Sequence, residues 1–137
     1  MLESIKNAYN SNIAIYAESG GYMYLGSTIE GKDMVNIFDY KSELTSRLQN
    51  FGYIKLVANK DNMLCKKEEF INAHEFHYTK SDFDGDDFTA IKKSTGKERK
   101  CIIANDNVFA GCSHLHLWGN IDFAKNHIKT CKNFSLL

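Results

Sequence analysis

The stretch that most constrains the fold is YAESGGYMYLG, Tyr16 to Gly26. It continues an apolar run, Ile13-Ala14-Ile15-Tyr16-Ala17, which has the length and composition of a short buried strand. A paired glycine follows, and then Tyr22, Met23 and Leu25, spaced as at the start of a helix. Ser19 lies in the turn between the two. A small nucleophile on a sharp strand-to-helix turn is how several hydrolase folds expose a reactive atom above a sheet. Flanking glycines suit such a turn if it leaves no room for a Cβ.

One strand–turn–helix unit is not a whole parallel sheet, and the rest of the chain reads differently. Ahead of it, Leu2, Ile5, Ala8 and Tyr9 fall on one face of a helix. After it, Gly26 to Lys32 reads as a loop, Met34 to Phe38 as a brief strand and Ser42 to Leu48 as a helical turn. Strands are then expected at Tyr53 to Ala58, Met63 to Cys65, Ile71 to Tyr78, Phe88 to Lys92, Cys101 to Ala104 and Val108 to Trp118. Lys80 to Asp87 and Ser94 to Lys100 would be polar loops between them. A last helix runs from Ile121 to about Lys132, with Asn120 as its N-cap and Asp122 in its first turn. The expectation is an α/β class with a strand-rich second half, in one domain over residues 1–137, as if the first half of an α/β sheet were missing.

Composition narrows the possible partners. The 137 residues are 43% apolar and 12% aromatic, enough to build one core. Seventeen basic side chains balance seventeen acidic ones, so no net field draws nucleic acid or an anionic membrane. Apolar runs fall short of a bilayer span and the N-terminus lacks the layout of a secretory signal, which reads as a cytoplasmic protein. Cys65, Cys101, Cys112 and Cys131 show no C-x-x-C spacing and read as cytosolic thiols rather than a zinc or redox site. The chain has no proline.

Reactive side chains gather in three places: AESGG at 17–21, HEFHY at 74–78 and CSHLH at 112–116. His114 and His116 are two apart in an apolar run, so on a strand both would share a face, whereas His74 and His77 would point to opposite faces. The histidine pair could be satisfied core residues, a general base beside Ser19, or half a metal site with Cys112 or His74. No ligand spacing completes a metal set, so no metal is expected. Glu18 and Glu75 could be acid–base groups or hydrogen-bonded structural ones. Asp82, Asp84, Asp86 and Asp87 around Gly85 suggest a calcium loop, but the twelfth position from Asp82 is Lys93 where such a loop needs glutamate, and a solvated turn is expected.

The three stretches, in this order, resemble the C-terminal glutamine amidotransferase domain of the cobyrinate a,c-diamide synthases, whose pattern includes IYAECGGLMYLG, GHEFHYS and SYxHLHF before a terminal helix. Here they stand as IYAESGGYMYLG, NAHEFHYT and GCSHLHLWGN. The likeness covers essentially the whole chain, and HEFHY with HLH separates this family from the similar cobyric acid synthases. It implies a class I glutaminase of flavodoxin-like fold with three α/β/α layers, of which this chain would be the C-terminal portion.

By that resemblance the nucleophile position is Ser19, the base is His114 with His116 as second choice, and Gly20 and Gly21 form the turn, the Gly20 amide supplying half of an oxyanion hole. No third triad member is implied. The substrate would be glutamine, whose ammonia passes to a synthetase domain that uses ATP and Mg to activate corrin carboxylates a and c; this chain itself would hold no cofactor. Two departures stand out: Ser19 replaces the family's cysteine, which implies an inactive glutaminase step, and these 137 residues would lack the synthetase domain and the first half of the glutaminase domain that the resemblance expects upstream of the turn, with no G-x-x-x-x-G-K-[ST] loop among them. An unpaired strand edge at Asn12 to Ala17 would then favour a homodimer. The competing expectations are a glutaminase subunit of another amidotransferase, and a non-catalytic interaction protein on the same scaffold.

Overall fold

A computed structural model describes residues 1–135. Helix α1 (Leu2–Asn10) buries no residue fully, but Ile5 and Tyr9 pack inward from its apolar face. Asn12, at φ 58, reverses the chain into strand β1 (Ile15–Glu18), which ends at Ser19 and enters the six-residue helix α2 (Gly20–Leu25).

Strand β1 is one edge of a three-stranded sheet. Its neighbour β11 (Val108–Gly111) runs parallel, with Ile15 opposite Val108 and Glu18 opposite Gly111, and β10 (Ile103–Ala104) closes the other side antiparallel. Alternation along the strands divides the side chains between two cores. Ala17, Val108 and Ala110 meet Tyr22, Met23 and Leu25 of α2, with α1 against them. Tyr16 and Phe109 point the other way, their rings stacked at 5.2 Å, into a larger core with Phe88, Leu56, Ile71, Ile102 and Phe123. Phe123 belongs to the last helix, α3 (Ile121–Ser135). The α/β class therefore holds, with α1 and α2 on one face of the sheet and α3 on the other. The antiparallel sheet shares the layer of α3.

That antiparallel sheet has the strand order β12-β6-β5-β8-β9, built from β5 (Asn50–Ala58), β6 (Phe70–His77), β8 (Phe88–Lys92), β9 (Glu98–Cys101) and β12 (His114–Leu115). A small third sheet joins β2 (Thr28–Ile29), β3 (Lys32–Asp33), β4 (Lys41–Leu44) and β7 (Thr79–Ser81).

Several local expectations are corrected. Ser42 to Leu48 is not a helical turn: its first residues form β4, paired with β7 and held where the buried Ser42 hydroxyl meets that of Ser81 at 2.7 Å. Met34 to Phe38 is irregular, and the strand expected there lies earlier, at Lys32–Asp33. The preceding loop likewise contains β2. Met63 to Cys65 is buried without being a strand: the Leu64 N–H donates to Asn62 Oδ1 at 3.0 Å, and its carbonyl accepts from the Asn126 side chain of α3 at 2.8 Å. The terminal helix begins as expected, with Asn120 Oδ1 accepting the Asp122 N–H.

The run from Val108 to Trp118 is broken rather than continuous. It leaves the central sheet after Gly111, crosses through Cys112 and Ser113, and joins the antiparallel sheet at His114. Ile102 makes the reverse crossing from β9 to β10 at φ 66, unusual for a β-branched residue. Gly85, at φ 88, lies directly against it; a Cβ there would fall 2.2 Å from the Ile102 carbonyl carbon.

Candidate active site at the seam of two sheets

Ser19 is where the central sheet ends. Its N–H donates to the Gly111 carbonyl at 2.8 Å and its own carbonyl accepts the Met23 N–H at 3.0 Å, so backbone bonds fix the turn on both sides. Its backbone sits at φ 50, ψ −110, and its hydroxyl caps no N–H of α2. A non-glycine residue in that region is held against about 1–3 kcal/mol of strain, and such residues cluster at functional sites. The glycines do not carry the turn as expected. A Cβ on Gly20 would meet nothing within 4 Å, and one on Gly21 would make an ordinary 3.5 Å contact with Ala17.

His114 arrives from the antiparallel sheet, opposite His74 in the register of β12 with β6. Glu18, the residue before Ser19, bridges the gap. Its Oε2 lies 2.9 Å from His114 Nδ1, and its Oε1 accepts the Leu115 N–H at 3.0 Å and the Tyr16 hydroxyl. The Nδ1 edge of the His114 ring thus faces a carboxylate oxygen, which can only accept. The pair is partly open to solvent, with the Glu18 side chain 26% and that of His114 46% exposed.

The strand ends at Leu115. His116 heads a 3₁₀ turn over Leu117–Gly119, donates its backbone N–H to Asn72 at 2.9 Å and rests its exposed ring over Gly119. Alternation along a strand, which would place it on the same face as His114, therefore stops one residue short of it. His74 and His77 do lie on opposite faces. His74 sits edge-on to Tyr53 and Phe51 on the open face, while His77 is buried, its Nδ1 donating to the Thr79 carbonyl at 3.0 Å.

Beneath the site lies a buried polar network. Glu75 is 2% exposed and accepts from the Arg99 guanidinium and, at 2.8 Å, from the Ser113 hydroxyl. Burial works against the Arg99 charge, but the adjoining Glu75 carboxylate outweighs it and holds the guanidinium above its ordinary value. Ser113 immediately precedes His114, so Glu75 is an anchor for that segment. Burial pushes the Cys112 thiol up to about 12, and the same cause takes Cys101 to about 12.

The acidic run at 82–87 is more than a solvated turn. Asp87 is buried, with Oδ2 accepting the Ala104 N–H at 2.7 Å and Oδ1 2.7 Å from Lys60 Nζ, while Asp82 accepts the Lys41 N–H. Among the described residues no group of three or more His, Cys, Asp or Glu side chains is placed to hold a metal ion, and no helix is long and apolar enough to cross a membrane. Sequence reasoning named Glu18 as an acid–base or hydrogen-bonded group but not its partners, and it missed Arg99, Ser113 and Tyr16, whose contacts are with distant or buried groups.

A strained serine on the turn between a buried strand and a helix, within an α/β fold, is the framework of an α/β enzyme domain. Residues 1–121 match the CobB/CobQ-like glutamine amidotransferase domain, and the chain belongs to that family. It is 38% identical over 133 residues to the cobyrinate a,c-diamide synthase of Clostridium acetobutylicum, covering 94% of this chain and 30% of that protein. It is 36% identical to the enzyme of the same name from Caldanaerobacter subterraneus, covering 98% and 31%, and 38% identical to that of Methanosphaera stadtmanae, covering 92% and 29%. The chain thus spans about 30% of the length of these curated relatives.

Proposed function

We propose that the chain serves the glutaminase side of a cytoplasmic, ATP-dependent amidoligase of the cobyrinate a,c-diamide synthase kind, in which ammonia from glutamine amidates corrin carboxylates a and c. Its partner is a synthetase domain, and ATP and Mg belong to that partner. Ser19 stands at the nucleophile position, where the attacking group adds to the glutamine side-chain amide. His114 Nε2 takes its proton and returns it to the leaving ammonia, and the Gly20 amide faces the developing oxyanion. A serine hydroxyl ionises hardly at all beside a cysteine thiol, so this chain on its own does not hydrolyse glutamine. The reading is carried by the left-handed backbone of Ser19 next to the Glu18–His114 pair.

The test is covalent labelling of the whole chain and of its Ser19→Cys variant by an electrophilic glutamine analogue, followed by mass spectrometry. The expected result is a single adduct at position 19 in the variant, lost with His114→Ala, and none in the parent chain. An unlabelled Ser19→Cys variant, or an adduct on Cys112 instead, would overturn the reading. We infer also that two copies associate along β1, which among the described residues pairs only with β11 and borders an open groove between α1 and α2 lined by Ile5, Ala8, Ala14 and Tyr24. A monomer mass by light scattering at high concentration would count against that.

A further inference from the structure

Glu18 is given no chemical step in the reading above, yet three donors converge on its carboxylate. Both of its oxygens are committed. Oε1 takes the Leu115 N–H at 3.0 Å and the Tyr16 hydroxyl, and Oε2 takes His114 Nδ1 at 2.9 Å. Tyr16 is itself fixed, its ring stacked on Phe109 at 5.2 Å and 13° and tilted against His127 of α3. The carboxylate therefore has a set orientation and grips β12 twice, once by the backbone of Leu115 and once by the ring of His114. Leu115 N–H points away from β6, so the carboxylate also takes the place of a missing strand partner.

We propose that Glu18 is a positioning residue that holds His114 in the tautomer protonated at Nδ1, so that Nε2 presents its lone pair to the group at position 19. The proposal rests on the reading of His114 as the base. It adds a third member to the nucleophile and base, supplied from the residue preceding the nucleophile rather than from the histidine's own strand. A carboxylate in that place keeps the ring oriented and favours the imidazolium formed when Nε2 takes a proton. Because the pair is partly open to solvent, its contribution to stability is small, and what it controls is ring geometry and tautomer.

The experiment is long-range proton–nitrogen correlation spectroscopy of the whole 15N-labelled chain at mildly alkaline pH, with His114 assigned by its disappearance in His114→Ala. The parent chain is expected to show a protonated Nδ1 and an unprotonated Nε2 at His114. Glu18→Gln should invert the pattern. Its one carbonyl oxygen stays with the two donors, Leu115 N–H and Tyr16 hydroxyl, and its amide N–H then donates to Nδ1. Glu18→Ala should give a mixture of tautomers. A parent spectrum with the proton on Nε2, or a pattern unchanged in both variants, would overturn the proposal, and the parent spectrum alone is sufficient if a variant fails to fold. No thiol or glutamine enters this measurement. Failure to label Ser19→Cys would sink the glutaminase reading and leave the Glu18–His114 pair intact, while the wrong tautomer would sink this proposal whatever the labelling at position 19 shows.

Discussion

Two glutamates, one in each half of the molecule, meet the same short segment and are used in opposite ways. Glu18 closes the strand–turn–helix unit, stays partly solvated and holds the His114 ring and the Leu115 backbone. Glu75 lies inside the antiparallel sheet at 2% exposure, paired with Arg99, and holds the Ser113 hydroxyl. Residues 113–115 are thus clamped from both sheets where the chain passes between them. The lesson is a division of labour: the antiparallel half supplies a buried anchor, and the parallel half supplies backbone strain and a partly solvated carboxylate beside it.

If the seam depends on close backbone approach, the largest effect should come from Gly85. Its added Cβ would lie 2.2 Å from the Ile102 carbonyl carbon, which is backbone and cannot rotate away, and φ is +88. Gly85→Ala is expected to cost more than about 4 kcal/mol and to leave little folded protein in a denaturant titration. Gly52 provides the control: it too has positive φ, at +109, but open space around it. Gly52→Ala should cost only about 1–3 kcal/mol of backbone strain. Similar losses at both positions would mean that the contact with Ile102 is not what holds the corner.

Next comes the contrast between the glutamates themselves. Glu75→Gln removes the countercharge of a largely buried guanidinium and should cost about 3 kcal/mol in the urea midpoint. Glu18→Gln, at a partly exposed pair, should cost less than about 1 kcal/mol. Equal costs would erase the distinction between the buried anchor and the partly solvated carboxylate.

The parallel unit was legible because its signals are local. Apolar residues at 13–17, two glycines and an apolar helix start lie within a dozen positions, and β1, α2 and Ser19 fall where they indicate. Strands β5, β6 and β8 were legible from their composition and spacing, and α3 from Asn120, whereas β9 begins inside the stretch Ser94 to Lys100 read as a loop. What stayed hidden depends on distant partners. Lys41–Leu44 becomes a strand through β7, nearly forty residues on, which outweighs its helical spacing. Met63 to Cys65 has the composition of a strand, but Asn62 and Asn126 satisfy Leu64 instead of a neighbouring strand. The change of sheet at Cys112 and Ser113 leaves no mark in an apolar run, so the seam and the engagement of Glu18 with His114 emerge only when both sheets are present. Likewise, the two glycines pointed to a strained turn, but the strain falls on Ser19.

The smallest effect should be the most specific, because it changes sign between two serines of the same site. At Ser19, φ 50 and ψ −110 disfavour a Cβ, and the hydroxyl caps nothing in α2. Ser19→Gly relieves about 1–2 kcal/mol of left-handed strain and gives back about 0.5–1 kcal/mol in unfolded-state entropy. The net expectation is a gain of about 0.5–1 kcal/mol in the urea midpoint. At Ser113, buried and bonded to Glu75, the same change adds entropy to the unfolded chain, removes a buried hydrogen bond and relieves no left-handed backbone. Ser113→Gly should therefore lose about 1–3 kcal/mol. A stabilising change at position 19 means that the fold tolerates strain there which its packing does not require, as a residue held ready for chemistry would show. Loss of stability in Ser19→Gly comparable to that in Ser113→Gly would make Ser19 another anchor, and the contrast between the two halves would not extend to the turn.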